Sequence, residues 1–275
     1  MKISDDYRKC IIALKNYEPE DYYIAYFDVL GYKYLIQDTY WFMLLMRILK
    51  MGISCLNDSV NEPDKNSSSA LEVKYKVFSD NILICSKENW SGVFNKAVIL
   101  QKDLIKQGVF IRGGMCYGKL YFDDDFIGGQ GLIKAVDLEN EAKFPRIIID
   151  ETFISNINVP VNEAFGTSVA YDEKCSRRFI DYLTHDYGVC QYYQGQWAEL
   201  ATLLIEHQYR IRWNIANCNK NIEMHKNDAH CIKQWRNILE KYEWCKNYHN
   251  DFCTKYSIEL SAKWKNITSV NGLLI

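Results

Sequence analysis

The sequence predicts an α+β fold, one sheet with helices on one face followed by a pair of long helices. Three observations predict it. Short apolar runs bounded by turn residues occur at Tyr22 to Asp28, Leu71 to Val77 and Ile82 to Cys85. Stretches with apolar residues at helical spacing separate them. Beyond about residue 194 the helical period is sustained over two long segments rich in Trp and Tyr.

Taken in order, Tyr22 to Asp28 reads as a buried strand and Tyr40 to Leu56 as a helix, followed by a polar loop at Glu62 to Ser69. Leu71 to Val77 and Ile82 to Cys85 read as a hairpin around Ser79-Asp80-Asn81, because Asp and Asn tolerate the backbone of a tight turn. Trp90 to Lys106 is a second helix that stops near Gly108. Val109 to Tyr117 and Lys119 to Phe122 read as a strand pair, Gly128 to Lys143 as a third helix and Arg146 to Ile149 as a further strand. This order suits a ferredoxin-like antiparallel sheet. Trp197 to Asn217 and His230 to Lys255 make a helical hairpin whose loop is Asn219 to Asp228. The expected division is a sheet domain over 1–190 and a helical extension over 191–275.

At 275 residues and 48% hydrophobic, the chain can bury a substantial core. A net charge of −2 offers no general attraction to nucleic acid or membrane surfaces, which leaves a small molecule or a protein as the expected partner. The charged start Met1-Lys2-Ile3-Ser4-Asp5-Asp6 lacks an apolar leader, and the most apolar stretch, Tyr40 to Leu49, is broken by Arg47. A cytoplasmic location is expected. Ten cysteines occur without a CxxC pair, so reduced, buried thiols are expected.

Phe27-Asp28-Val29-Leu30-Gly31 and Lys76-Val77-Phe78-Ser79-Asp80-Asn81 each set an Asp beside β-forming residues. A strand that ends on one Asp and a hairpin turn that carries another can meet at a sheet edge, where hard divalent cations bind oxygen. A lone Asp at a strand end is more often a cap or a turn residue, so the ordered pair carries the inference.

These segments, together with Ile111-Arg112-Gly113-Gly114 and Gly118, resemble the class III nucleotidyl cyclase catalytic domain across roughly residues 22–150. Phe-Ser-Asp-Asn, Arg-Gly-Gly and Leu138-Glu139 leading to Phe144-Pro145-Arg146-Ile147 look most like the bacterial Pycsar pyrimidine cyclases. The resemblance implies two Mn²⁺ or Mg²⁺ ions held by Asp28, the Val29 carbonyl and Asp80. It implies nucleotide contacts from Lys76, Phe27, Phe78 and Arg112, and a homodimer with sites at the subunit interface. It also implies conversion of UTP, before CTP, to the 3′,5′-cyclic monophosphate in antiphage defence, with a separate effector as receiver. Lys76 can donate to a base carbonyl, or stand as an edge-strand lysine in water.

The chain departs from purine cyclases where their transition-state Asn and Arg lie, since Ile133 and Asp137 occupy that helix. Arg112, Lys134 or Arg146 then stands as the basic residue for phosphate charge, each also a plausible ion-pair partner, above all Arg146. A purine cyclase and a catalytically silent nucleotide-binding dimer are the competing readings. Cys245, His249 and Cys253 share a helical face, with His230 and Cys231 upstream, which allows a zinc site, though buried thiols and a packed histidine are the usual outcome. Asp123-Asp124-Asp125 reads as a solvated acidic turn, and no phosphate-loop, dinucleotide-binding or Ser/His/Asp motif is present.

Overall fold

The structure, a computed structural model, describes residues 18–32, 36–37, 39–58, 72–193, 196–264 and 270–275. The expected loop at 62–69 and the charged amino terminus lie outside the described residues. β1 (Glu20–Val29), α1 (Thr39–Asp58), β2 (Lys74–Phe78), β3 (Asn81–Ser86), α2 (Trp90–Lys106) and β4 (Ile111–Phe122) follow one another in βαββαβ order. Their strands lie β2-β3-β1-β4, every neighbour antiparallel, which is the ferredoxin-like arrangement.

The sheet then grows beyond that core. β5 (Ile127–Gly128) pairs with the end of β4, α3 (Gln130–Ala142) crosses over, and β6 (Ile147–Ile149) returns parallel to β4. A helical crossover permits a parallel neighbour, and apolar periodicity alone does not announce the direction. After the short helices α4 (Glu151–Ser155) and α5 (Val161–Phe165), the hairpin of β7 (Val169–Asp172) and β8 (Arg177–Ile180) extends the order to β2-β3-β1-β4-β6-β8-β7. α6 (Tyr182–Tyr192), α7 (Trp197–Met224), α8 (Ala229–Lys255) and α9 (Ser257–Lys263) complete the chain.

Alternation along β1 divides the core in two. Tyr23, Ala25, Phe27 and Val29 face one large cluster with Leu45 and Leu49 of α1, Val93 and Leu104 of α2, Leu203 of α7 and Phe252 of α8. Tyr22, Ile24 and Tyr26 face the other, built with Ala135, Leu138 and Ala142 of α3. The two helices of the ferredoxin-like core do share one face, and α3 covers the opposite one, so helices lie on both faces of the full sheet. The C-terminal hairpin packs on the α1–α2 side of its own chain.

Two glycines set how closely α3 lies on the sheet. A Cβ on Gly114 would fall 2.3 Å from the Cβ of Leu138, and one on Gly118 would fall 3.1 Å from the Cα of Gly131. The expected break between two strands at Gly118 is therefore corrected: β4 runs unbroken through it, and the glycine makes room for the helix. Asn89 caps α2 by accepting from the Gly92 N–H at 2.7 Å, and Asp228 caps α8 by accepting from the N–H groups of His230 and Cys231. α7 continues to Met224, which shortens the expected interhelical loop. The cysteines among the described residues are all free thiols, and no helix among those residues is long and apolar enough to cross a membrane.

Candidate functional site

The end of β1 and the tip of the β2–β3 hairpin are tied together by the main chain. Asp28 lies opposite Asn81 in the β1–β3 ladder, and the Val29 N–H donates to the Asp80 carbonyl at 3.0 Å. Ser79 takes a φ of 60° in the turn, a left-handed conformation that reverses the chain just before Asp80. Side chains then hold the carboxylate: the Tyr26 hydroxyl donates to Asn81 Oδ1 at 2.5 Å, and Asn81 Nδ2 donates to Asp80 Oδ1 at 3.2 Å.

Burial raises the pKa of Asp28 above the ordinary carboxylate value, Arg112 lowers it, and the neighbouring charge of Asp80 raises it again. Arg112 faces Asp28 across the β1–β4 ladder and donates from Nε to Asp28 Oδ2 at 3.3 Å. Its guanidinium also pairs with Glu139 of α3. That contact is close without being aligned as a hydrogen bond, and the buried Oε1 of Glu139 has no hydrogen-bond donor. Burial pushes Glu139 up to about 7, against the pull of Arg112 and with a push from Asp28. Lys241 of α8 faces the same group, its pKa lowered first by burial and then by Arg112 while Asp28 and Glu139 raise it.

The sequence-predicted residues divide accordingly. Asp28, Asp80 and Arg112 come together, with the Val29 backbone between the two carboxylates. Phe27 is 0% exposed and its ring packs in the sheet core, so a nucleotide contact at this position falls to its backbone rather than its ring. Strand alternation explains this, since Phe27 points to the face opposite Tyr26. Phe78 is exposed beside Tyr26, their ring centroids 6.3 Å apart. Lys76 donates to the carbonyls of Asp123 and Asp124 at 3.1 and 2.7 Å and lies over the Phe122 ring, so the acidic turn anchors it.

Of the other basic residues, Lys134 is held by Asp150 and Thr152. Arg146 is 3% exposed, pairs with Asp172 at 2.5 Å and sits over the rings of Phe144, Phe179 and Trp244, a structural ion pair inside an aromatic cage. Ile133 is 63% exposed, and Asp137 is exposed on the same helix. Sequence reading singled out neither Glu139 as a site residue nor Lys241. The hint for Glu139 was an acidic residue at a helix position otherwise reserved for apolar packing.

The histidine and cysteine face of α8 is not a metal centre. The Tyr182 hydroxyl donates to His207 Nε2 at 3.0 Å, His207 Nδ1 donates to His249 Nδ1 at 3.1 Å, and His249 Nε2 donates to the Leu273 carbonyl at 2.8 Å. Two neutral imidazoles satisfy that chain, and burial, which lowers both pKa values, favours them. His230 hydrogen-bonds Gln234 at the exposed start of α8. No trio of His, Cys, Asp or Glu among the described residues is spaced to hold an ion.

The donors at Asp28 and Asp80 are oxygen only, two carboxylates whose mutual repulsion contributes to the raised pKa of Asp28. Such a set fits a hard divalent cation, which would relieve that repulsion and compete with Arg112 for Asp28.

No known family profile and no curated protein matches the chain. Among solved structures, the catalytic core of a rhodopsin-guanylyl cyclase with converted specificity, in complex with ATPαS, is 13% identical over 59% of this chain and 96% of its own, with a TM-score of 0.41. A bacterial light-regulated adenylyl cyclase is 11% identical over 62% of this chain and 97% of its own, with a TM-score of 0.39. An adenylate/guanylate cyclase/hydrolase from Silicibacter pomeroyi is 15% identical over 59% and 95%, with a TM-score of 0.33. Likeness at this level transfers no residue roles to this chain.

Proposed function

We propose that the chain is a nucleotide cyclase that converts a pyrimidine triphosphate, UTP before CTP, to its 3′,5′-cyclic monophosphate and diphosphate. The observation that carries this reading is the juxtaposition of Asp28 and Asp80, fixed by the Val29 to Asp80 main-chain hydrogen bond. The motifs around both residues support the same reading.

In the reaction the ribose 3′-oxygen bonds to the α-phosphorus, the α–β anhydride bond breaks, diphosphate leaves and the hydroxyl proton passes to solvent. Asp28, Asp80 and the Val29 carbonyl would hold the Mn²⁺ or Mg²⁺ ions. Bound there, such ions acidify the 3′-hydroxyl and neutralise phosphate charge. Tyr26 and Asn81 orient the Asp80 carboxylate, the β1–β4 ladder orients Asp28, and Arg112 offers a cation at the same end of the sheet. The exposed Phe78 ring offers a face on which a base can stack.

A homodimer belongs to this proposal, with the exposed apolar residues Phe126 and Ile133 as surface for a second copy. The expected setting is antiphage signalling through a cyclic pyrimidine nucleotide and a separate effector. A purine substrate fits less well, because Ile133 and Asp137 point outward from α3. One observation favours a silent nucleotide binder: Arg112 already neutralises Asp28. The test is to offer ATP, GTP, CTP and UTP separately with Mn²⁺ and to identify the product by mass. Cyclic UMP or cyclic CMP supports the proposal; binding with no product from any of the four overturns it in favour of the silent binder.

A further inference from the structure

The C-terminal hairpin places one lysine where the sheet gathers its carboxylates. Lys241 is half-buried on α8, yet among the described residues it makes no hydrogen bond or ion pair. A partly desolvated ammonium with no short-range partner is costly, and an anion placed beside it lowers that cost.

Its neighbours on α8 fix its position. Glu240 pairs with Lys143, at the end of α3, with a separation of 2.6 Å. Tyr242 packs edge-on against Phe110, with ring centroids 5.5 Å apart. The Phe110 carbonyl in turn accepts the Leu30 N–H at 2.9 Å, two residues beyond Asp28. Trp244 stacks on Phe144 at 5.5 Å with the planes 6° apart. Lys241 therefore sits on a helix clamped on one side to the end of α3, one turn after Glu139, and on the other to the start of β4, beside Arg112. The charged groups near enough to act on it are Arg112, Asp28 and Glu139.

Arg112 is divided between Asp28 and Glu139, which leaves Lys241 as a second cation near these carboxylates that no hydrogen bond or ion pair among the described residues commits. We infer that Lys241, delivered by the C-terminal hairpin of the same chain, binds the polyphosphate of a nucleotide at the Asp28–Asp80 site. The inference rests on the nucleotide reading of that site and adds to it a residue from outside the ferredoxin-like sheet. An ammonium there meets phosphate oxygen as a charge-assisted hydrogen bond donor, and a nucleoside monophosphate offers it less charge than a triphosphate does.

The test compares wild type, Lys241→Met and Lys241→Arg. Binding of 3′-deoxy-UTP, which cannot cyclise, and of UMP is measured by calorimetry with Mn²⁺ present, beside diphosphate release from UTP. Lys241→Met is expected to lose about tenfold or more in 3′-deoxy-UTP affinity while UMP affinity moves by less than about twofold, with Lys241→Arg regaining most of the loss. Removing an unpaired, half-buried charge leaves the fold intact, which a melting curve checks. Equal 3′-deoxy-UTP affinity in wild type and Lys241→Met overturns the inference, and with UTP turnover present the cyclase reading survives that result. Lysine-dependent triphosphate binding without turnover keeps the inference and removes the cyclase reading. Absence of triphosphate binding by wild type removes both.

Discussion

Arg112 reaches Asp28 across the β1–β4 ladder, its Nε 3.3 Å from Oδ2, while the same guanidinium pairs with Glu139 of α3. One cation thus balances a strand-end carboxylate and a buried helix carboxylate. Arg112→Ala leaves both uncompensated, and a loss on the order of 3 kcal/mol is expected in urea unfolding. Adding Glu139→Gln should recover part of that loss, because it removes the more buried of the two charges. Additive losses in the double variant would show that Arg112 and Glu139 are not coupled.

Glu139 gives the site a pH signature. Its pKa rises from 4.5 unfolded to about 7 folded, so the folded state binds the proton more tightly. The stabilisation is complete below about 4.5 and is lost as pH rises through 7, with a span of about 3 kcal/mol at most. Glu139→Gln should therefore flatten the fall in stability between pH 5 and pH 8, measured relative to wild type, within the range set by that shift. A fall of equal slope in the variant would assign it to another group.

Lys76 is bound to two carbonyls of the acidic turn, and its removal should loosen that turn without changing base choice. In Lys76→Met the ratio of UTP to CTP turnover is expected to stay within about twofold of wild type, since base selection responds to groups that touch the base. A larger change in the ratio would make Lys76 a reader of the base.

Much of this architecture was legible from local pattern. β1, the β2–β3 hairpin and the long C-terminal helices were marked by apolar period and turn residues, and Asp28 and Asp80 met because antiparallel pairing of β1 with β3 leaves little freedom in where their ends fall. Less local features were hidden. Gly118 looked like a turn because the helix it accommodates is thirteen residues further on, at Gly131. The burial of the Phe27 ring was hidden because sequence adjacency to Asp28 conceals which face a side chain takes. Glu139 and Lys241 belong to the site only through packing of α3 and α8, which the sequence pattern of neither helix contains.

The buried histidines supply a check on the zinc alternative. His249 is lowered from 6.5 to about 4, and burial holds His207 well below 6.5 too, so the unfolded chain binds protons first as pH falls below 6.5. Stability contributed by these groups is retained above pH 6.5 and lost toward pH 4, and His249→Gln should reduce that acid sensitivity. A zinc-selective chelator should leave the melting temperature unchanged at neutral pH. A drop on chelation, restored by zinc, would contradict the hydrogen-bonded chain from Tyr182 to Leu273.

The central claim is that Asp28 and Asp80 together carry nucleotide cyclisation. The most direct measurement is diphosphate release from UTP with Mn²⁺ by wild type, Asp28→Asn and Asp80→Asn, each confirmed folded by its melting curve. The account predicts release by wild type and a loss of about a hundredfold or more in each variant, with cyclic UMP as the wild-type product. Release by either variant at near the wild-type rate would contradict it.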